Sequence, residues 1–393
     1  MDGTSTYQGA ARDLLSGIKV VDADTHVSEW YDLWTSRAPA KYKDRVPHFV
    51  DSIGWVIDGQ PMNRDGAVSA VRKDGSKTIG TEFRHLRLPD VHPGAYDVKA
   101  RVKHMDEEGV WAQIAYPNLL GFGGQAAFKL DEDLRNVCTH IFNDAMAEMQ
   151  EQSGNRIFPM AMMPWWDVKL AAKEARRCAD MGMRGINMNS DPDVHGLPHL
   201  GQKHWQPLWD TCIDNQLPVN FHIGASDESM TWVGKGLWPG HPDNIALAYG
   251  SVMLFVGNFR VLTNLFLTRF LEDLPDLKLV SVESGAGWIP FMLEGIEYQL
   301  GEAGVKPKVS PTELFARQIY ACTWFERRHI VQTARQIGID NILFESDFPH
   351  PTCLYPDPLG QVSDALAAMT QEERQKMLGG NAIKLYNLGK FLQ

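Results

Sequence analysis

Asp97–Tyr116 reads DVKARVKHMDEEGVWAQIAY, in which helical spacing over Asp97–Glu108 gives way to an apolar run of strand character, Val110–Tyr116. The same alternation extends in both directions. Upstream lies the short apolar run Ile18–Asp24 (IKVVDAD). Downstream, strand-like segments at Ile157–Met163, Arg184–Met188, Pro218–Phe221, Leu277–Val282, Ile319–Cys322 and Ile342–Phe344 alternate with helical patterns such as Asp131–Gln152, Asp167–Met181 and Trp205–Asn215. Counted from Val20, the chain makes about eight strand–helix steps. Strands alternating with helices build a parallel sheet with crossover helices, and eight such units in this length predict an α/β fold of the closed (β/α)8 TIM barrel type. No GxGxxG follows the first strand and no GxxxxGK[ST] occurs, which argues against dinucleotide and P-loop chemistry.

A single domain over residues 18–388 is expected, with insertions after strands 1 and 5. The first, Pro47–Pro93, contains a hairpin signal around IGWVIDGQPM with Asp58-Gly59 at its turn. The second, Gly224–Phe259, is rich in Gly, Trp and apolar residues. Both follow the C-terminal end of a strand, where barrel enzymes carry the loops that shape the site. Thr370-x-x-Glu373 reads as a capping box opening a short helix.

The 393 residues carry 49 acidic against 38 basic side chains, a formal charge of −11, which disfavours binding to nucleic acid or an anionic membrane by charge. Hydrophobic content of 44% with 22% charged residues fits a folded globular chain. The five cysteines are scattered without a CxxC pair, and the N-terminus lacks a basic and apolar leader, so a reducing cytoplasmic setting is expected. Ile245–Gly257 (IALAYGSVMLFVG) is apolar but too short to span a bilayer, and reads as a buried helix or the wall of an apolar pocket.

Four strand ends carry chemistry. In VDADTHVSE (Val21–Glu29) the period of a strand places Asp22, Asp24 and His26 on one face. PVNFHIG ends a strand on His222, LVSVESG ends one on Glu283, and ILFESDFPHP presents Glu345 and Asp347 followed by His350. Polar groups aimed inward at strand ends are costly unless something binds them. Together they form the Asp/Glu/His set that takes zinc or iron, with manganese also fitting.

The motifs Asp24-x-His26, His222, Glu283-Ser-Gly-Ala-Gly-Trp-Ile-Pro and Ser346-Asp347-Phe-Pro-His350, closed by Gly380-Asn-Ala-Ile-Lys-Leu-Tyr386, resemble the amidohydrolase superfamily. The likeness is strongest to its branch related to aminocarboxymuconate semialdehyde decarboxylase, and it runs over about residues 18–388. The resemblance implies a metal-bearing barrel with ligands at Asp24, His26, His222 and Asp347. Asp24 stands where many members have a histidine, and Glu283 where the decarboxylases usually present one.

Glu283 favours a hydrolytic expectation: water bound to one or two divalent ions attacks an ester, thioester or amide carbonyl, Asp347 shuttles the proton, and Glu283 joins the ligands of a second ion. Glu29 and His350 are outlying candidates for that second ion or for the hydrogen bonds around it. The alternative is non-oxidative decarboxylation of an aromatic or dienoic acid, and the third reading is a ligand-binding barrel without catalysis. Trp165, Trp166, Trp232, Trp238, Trp288 and Trp324, with Met253 and Phe255, suggest a roomy apolar pocket for a bulky or aromatic small molecule. Arg72, Lys73 and Lys235 are candidates for the phosphates of a coenzyme A thioester. The Pro47–Pro93 insertion is the expected contact in a homo-oligomer.

Overall fold

In the computed structural model, which describes residues 14–62, 66–234 and 236–392, the barrel strands in chain order are β1 (Val20–His26), β2 (Val110–Tyr116), β3 (Ile157–Pro159 continuing into Ala161–Met162), β4 (Ile186–Asn187), β5 (Val219–His222), β6 (Leu279–Val282), β7 (Ile319–Thr323) and β8 (Ile342–Phe344). Neighbours pair in parallel in that order, and Met160 bridges the two halves of β3, its N–H bonded to Ala115 O. The circle closes where the chain after β8 meets β1: Asp347 N–H donates to Asp24 O at 2.9 Å and His26 N–H to Phe348 O at 2.7 Å. Closure removes the exposed edges of an open sheet.

The crossover helices begin where the sequence supplies caps. Asp97, Asp131 and Asp167 each accept a backbone N–H at the start of α1 (Val98–Glu108), α2 (Glu132–Gln152) and α3 (Val168–Asp180), satisfying donors that a helix leaves unpaired. After α4 (Gln206–Asp214) come two helices between β5 and β6, α5 (Asp227–Gly234) and α6 (Asp243–Leu267). Two more, α7 (Ile289–Glu302) and α8 (Pro311–Gln318), separate β6 from β7. Between β1 and α1 lie three short antiparallel strands (His48–Val50, Gly54–Ile57, Gln60–Pro61), with Asp58 and Gly59 both at positive φ in the tight turn. That segment then packs on the loop after β8, where Ala70 N–H donates to Pro349 O at 2.8 Å.

Val21, Ala23, Ala112, Ile114, Phe158, Met160, Val280, Val282 and Leu343 fill the barrel interior and meet the C-terminal residues Ala382, Leu385 and Tyr386 from below. Asn220 ties this layer together, its Oδ1 accepting from Tyr386 at 2.7 Å and from Tyr116 at 3.1 Å. The C-terminal segment crosses β1 so closely that a Cβ on Gly379 would lie 1.9 Å from Lys19 O. Glycine is the residue that this crossing admits.

The structure corrects two expectations. First, the pairing of β1 with β2 shifts register between Asp22 and Thr25, so the period of two breaks there. Asp22 consequently turns away from the mouth to accept from Ser346 N at 2.8 Å, while Asp24 and His26 point into it. Second, the apolar run Ile245–Gly257 forms the N-terminal part of α6, and of its residues only Gly250 is buried. It is neither a core helix nor the wall of a closed pocket.

Candidate metal centre

The C-terminal ends of β1, β5, β6 and β8 bring Asp24, His26, His222, Glu283, Asp347 and His350 together, in two overlapping groups whose ligand atoms lie within 4.8 Å of one another. His26 and His222 approach to 3.0 Å through their Nε2 atoms. Asp24 Oδ1 lies 3.6 Å from both of these nitrogens, Asp347 Oδ1 3.6 Å from His26 Nε2, and Glu283 Oε2 3.2 Å from His222 Nε2. His222 Nδ1 donates to Ile223 O at 2.8 Å and His26 Nδ1 faces Pro117 O at 3.4 Å, which assigns the N–H of each neutral ring to the side remote from the cluster. Two imidazole lone pairs therefore face each other beside carboxylates.

Hydrogen bonding within the protein does not resolve this arrangement. Asp24 Oδ1 and Oδ2 and Asp347 Oδ1 are fully buried with no hydrogen-bond partner. Burial, with Asp347 and Asp22 nearby, pushes the Asp24 carboxyl well above the usual carboxylate range; burial, Asp347 and Asp24 do the same to Glu283. Burial lowers His222 to about 4, and His26 well below the ordinary histidine value. Orphaned carboxylate oxygens around two neutral imidazoles cost several kcal/mol each unless a cation offsets them (roughly 1–3 kcal/mol per neutral group, more per charge). Asp24, His26, His222 and Asp347 fit a divalent cation, and the mixed oxygen and nitrogen donors suit zinc, iron or manganese.

Backbone conformation helps to aim the ligands. Glu283 and Asp347 have φ of 53° and 61°, the left-handed region that costs non-glycine residues about 1–2 kcal/mol. These turns begin just beyond β6 and β8 and deliver both carboxyls to the mouth. Glu345, buried beneath, accepts from Glu283 N at 3.2 Å. Its carboxyl is pushed up by burial and by Asp24 and Asp347.

The outlying candidates have distinct positions. His350 stacks on His26 with ring centroids 3.5 Å apart, sets Nε2 2.7 Å from Asn118 Oδ1, and turns Nδ1 to Asp347 Oδ1 at 3.2 Å. Glu29 lies outside the cluster and accepts from the backbone N–H groups of Asn118 and Leu119 at 2.8 and 2.9 Å, fixing the loop after β2. Trp165 and Trp324 are buried, and Trp238 stands on the surface, 80% exposed. The side chains of Trp232 and Lys235 lie outside the described residues. Arg72 donates to Thr78 Oγ1 at 2.8 Å.

Two residues of the site carried no signal in the sequence reading. Thr352 hydrogen-bonds Asp347 Oδ2 and lies 3.5 Å from Glu283 Oε1, spanning the two carboxyls. Phe122 covers the cluster, its ring 4.3 Å from His222 and 5.2 Å from His26, and is only partly buried. It sits in Gly121-Phe122-Gly123-Gly124, where a Cβ on Gly123 would come within 2.6 Å of Ala225 O. That glycine-rich run after a strand is the signal that could have found it.

The family model described as Amidohydrolase matches residues 21–388. The gamma-resorcylate decarboxylase of Polaromonas sp. (strain JS666 / ATCC BAA-500) is 23% identical over 317 residues, covering 77% of this chain and 91% of that protein. Among solved structures, an amidohydrolase from Mycobacterium avium subsp. paratuberculosis K-10 superposes with a TM-score of 0.73 at 21% identity, covering 94% of this chain and 99% of that one. The dihydroxybenzoic acid decarboxylase from Polaromonas sp. JS666, solved with bound manganese and the inhibitor 2-nitroresorcinol, gives a TM-score of 0.61 at 18% identity, with 95% and 99% covered. The fold is that of the amidohydrolase TIM barrels. With its convergent strand-end residues, the chain belongs to the amidohydrolase family, in the branch related to the aminocarboxymuconate semialdehyde and gamma-resorcylate decarboxylases.

Proposed function

We propose that this chain is a metal-dependent, non-oxidative decarboxylase of a planar aromatic or dienoic acid. The observation that carries the reading is the pairing of Glu283 and Phe122 on the open side of the Asp24–His26–His222–Asp347 cluster. The relatives named as decarboxylases favour it over the hydrolytic expectation, and no comparison supports thioester cleavage.

A divalent cation held by Asp24, His26, His222 and Asp347 supplies the positive charge against which a substrate's carboxylate and neighbouring oxygen bind. Phe122 offers its face to the substrate's π-system, excluding water from one side. In the reaction the carbon–carboxyl bond breaks, its electron pair stays on the substrate carbon, CO2 leaves, and a proton forms the new C–H bond. Glu283 is placed to deliver that proton. Its side chain is 9% exposed, whereas Asp24 and Asp347 are at 0%, so it is the carboxyl nearest the opening. Thr352 steadies Asp347, and His350, held by Asn118, faces the same carboxylate with Nδ1.

The test is CO2 release from a panel of hydroxybenzoic and dienoic acids by metal-loaded protein, run beside a panel of esters, thioesters and amides. Release of CO2 with proton uptake supports the reading. Cleavage of acyl bonds without CO2 release would return it to hydrolysis.

A further inference from the structure

Helix α6 presents apolar side chains to solvent along most of its first five turns. Ile245, Ala248, Val252, Phe255 and Phe259 follow one another at alternating steps of three and four residues, the spacing with which one helix seats against another. None of the five is buried, and Val252 is 59% exposed. Neighbouring elements extend the surface. Phe325 stacks on Phe255 at 5.4 Å, and Phe291 of α7, 73% exposed, lies 6.5 Å from Phe259. At the start of the helix Gly80 packs against Asn244, which sets Ile79 beside it at 80% exposure.

We infer that this face is the contact between two copies of the chain, formed by α6 against α6. The area fits: with large side chains carrying about 150–250 Å2 each, the strongly exposed residues and their half-buried neighbours on α6 amount to roughly 800 Å2, the share each partner contributes to a standard interface. A patch of that size exceeds what monomers usually leave in water, about 300–600 Å2. The charge fits as well. No charged residue lies between Asp243 and Arg260, so two chains of net charge −11 meet here without placing like charges in contact. A lipid surface fits less well, because helices that lie in membranes carry Lys and Arg on their polar face. The single cationic residue of α6 is Arg260, and it is paired with Asp191 at 2.5 Å. A stripe along one straight helix is self-complementary about a two-fold axis, the commonest symmetry of homo-oligomers. This inference does not depend on the proposed reaction.

The experiment is sedimentation velocity on the full chain at about 50 µM, above the Kd range of interfaces this size. The wild type is expected to run as a dimer. The doubly substituted Val252→Glu/Val256→Glu protein is expected to run as a monomer with unchanged far-UV circular dichroism, since both side chains face solvent. Mixing Val252→Glu with Val252→Lys should restore the dimer if the position meets its own counterpart. A monomeric wild type, a dimer that survives the double substitution, or wild-type protein that is monomeric and co-sediments with phosphatidylcholine vesicles would each overturn the inference.

Discussion

His26 and His222, 196 residues apart in sequence, place their Nε2 atoms 3.0 Å from one another with each remote nitrogen turned to a backbone carbonyl. A neutral imidazole has one N–H to give, and both rings direct it away from the gap. Something with positive charge belongs between them. The barrel supplies the means, since β1 and β5 lie on opposite arcs and only closure brings their ends together.

Removing either ring should therefore remove the cation. His222→Ala is expected to lower tightly bound divalent metal from about one equivalent to near zero while far-UV circular dichroism stays native. Elemental analysis after gel filtration checks this. Retention of a full equivalent would place the ion elsewhere.

Glu283 separates ligation from proton transfer. As the proton donor, Glu283→Gln should keep its metal and lose about 10²–10⁴-fold in kcat. If the variant lost metal in proportion to activity, Glu283 would be a ligand instead, as the two-ion expectation has it. Metal content and single-turnover CO2 release on the same preparation distinguish the two.

Phe122→Leu tests the stacking platform. Aromatic pairs contribute about 0.5–1.5 kcal/mol beyond area burial, so KM for a hydroxybenzoic acid should rise about 2–13-fold with metal content unchanged. An unchanged KM would remove the ring from the substrate's path.

The barrel was legible because its signal is periodic: VWAQIAY, LVSV and ILF are apolar runs buried on both faces, and the intervening helices open on Asp97, Asp131 and Asp167. The candidate ligands were legible because strand ends are marked by the switch from apolar to Asp, Glu and His. Three features were not. The bulge that turns Asp22 away from Asp24 depends on pairing with β2, which a strand's own sequence does not encode. The apolar stretch of α6 has the composition of a core helix, and composition does not say whether another surface of the same chain covers it. Phe122 and Thr352 reach the site through loop geometry.

Acid sensitivity should arise outside the site as well. Burial, with His92 and Arg101 nearby and Glu107 opposing, lowers His104 to about 4, and its ring packs 4.4 Å from Phe348. The folded state thus binds fewer protons than the unfolded chain between about pH 6.5 and 4, so stability falls as pH drops through that window. The full shift corresponds to roughly 3 kcal/mol. His104→Phe should flatten the fall, seen as a smaller difference in urea midpoint between pH 7.5 and pH 5; an equal difference would assign the sensitivity to other groups.

The most direct test of the account is manganese titration of metal-stripped protein, followed by electron paramagnetic resonance and CO2 release together. The expected result is binding of about one equivalent, immobilised in the spectrum, with decarboxylation appearing in proportion and both lost in Asp24→Asn/His222→Ala. Stripped wild-type protein that binds no manganese, zinc or iron at all, or that releases CO2 at full rate in excess chelator, would contradict it.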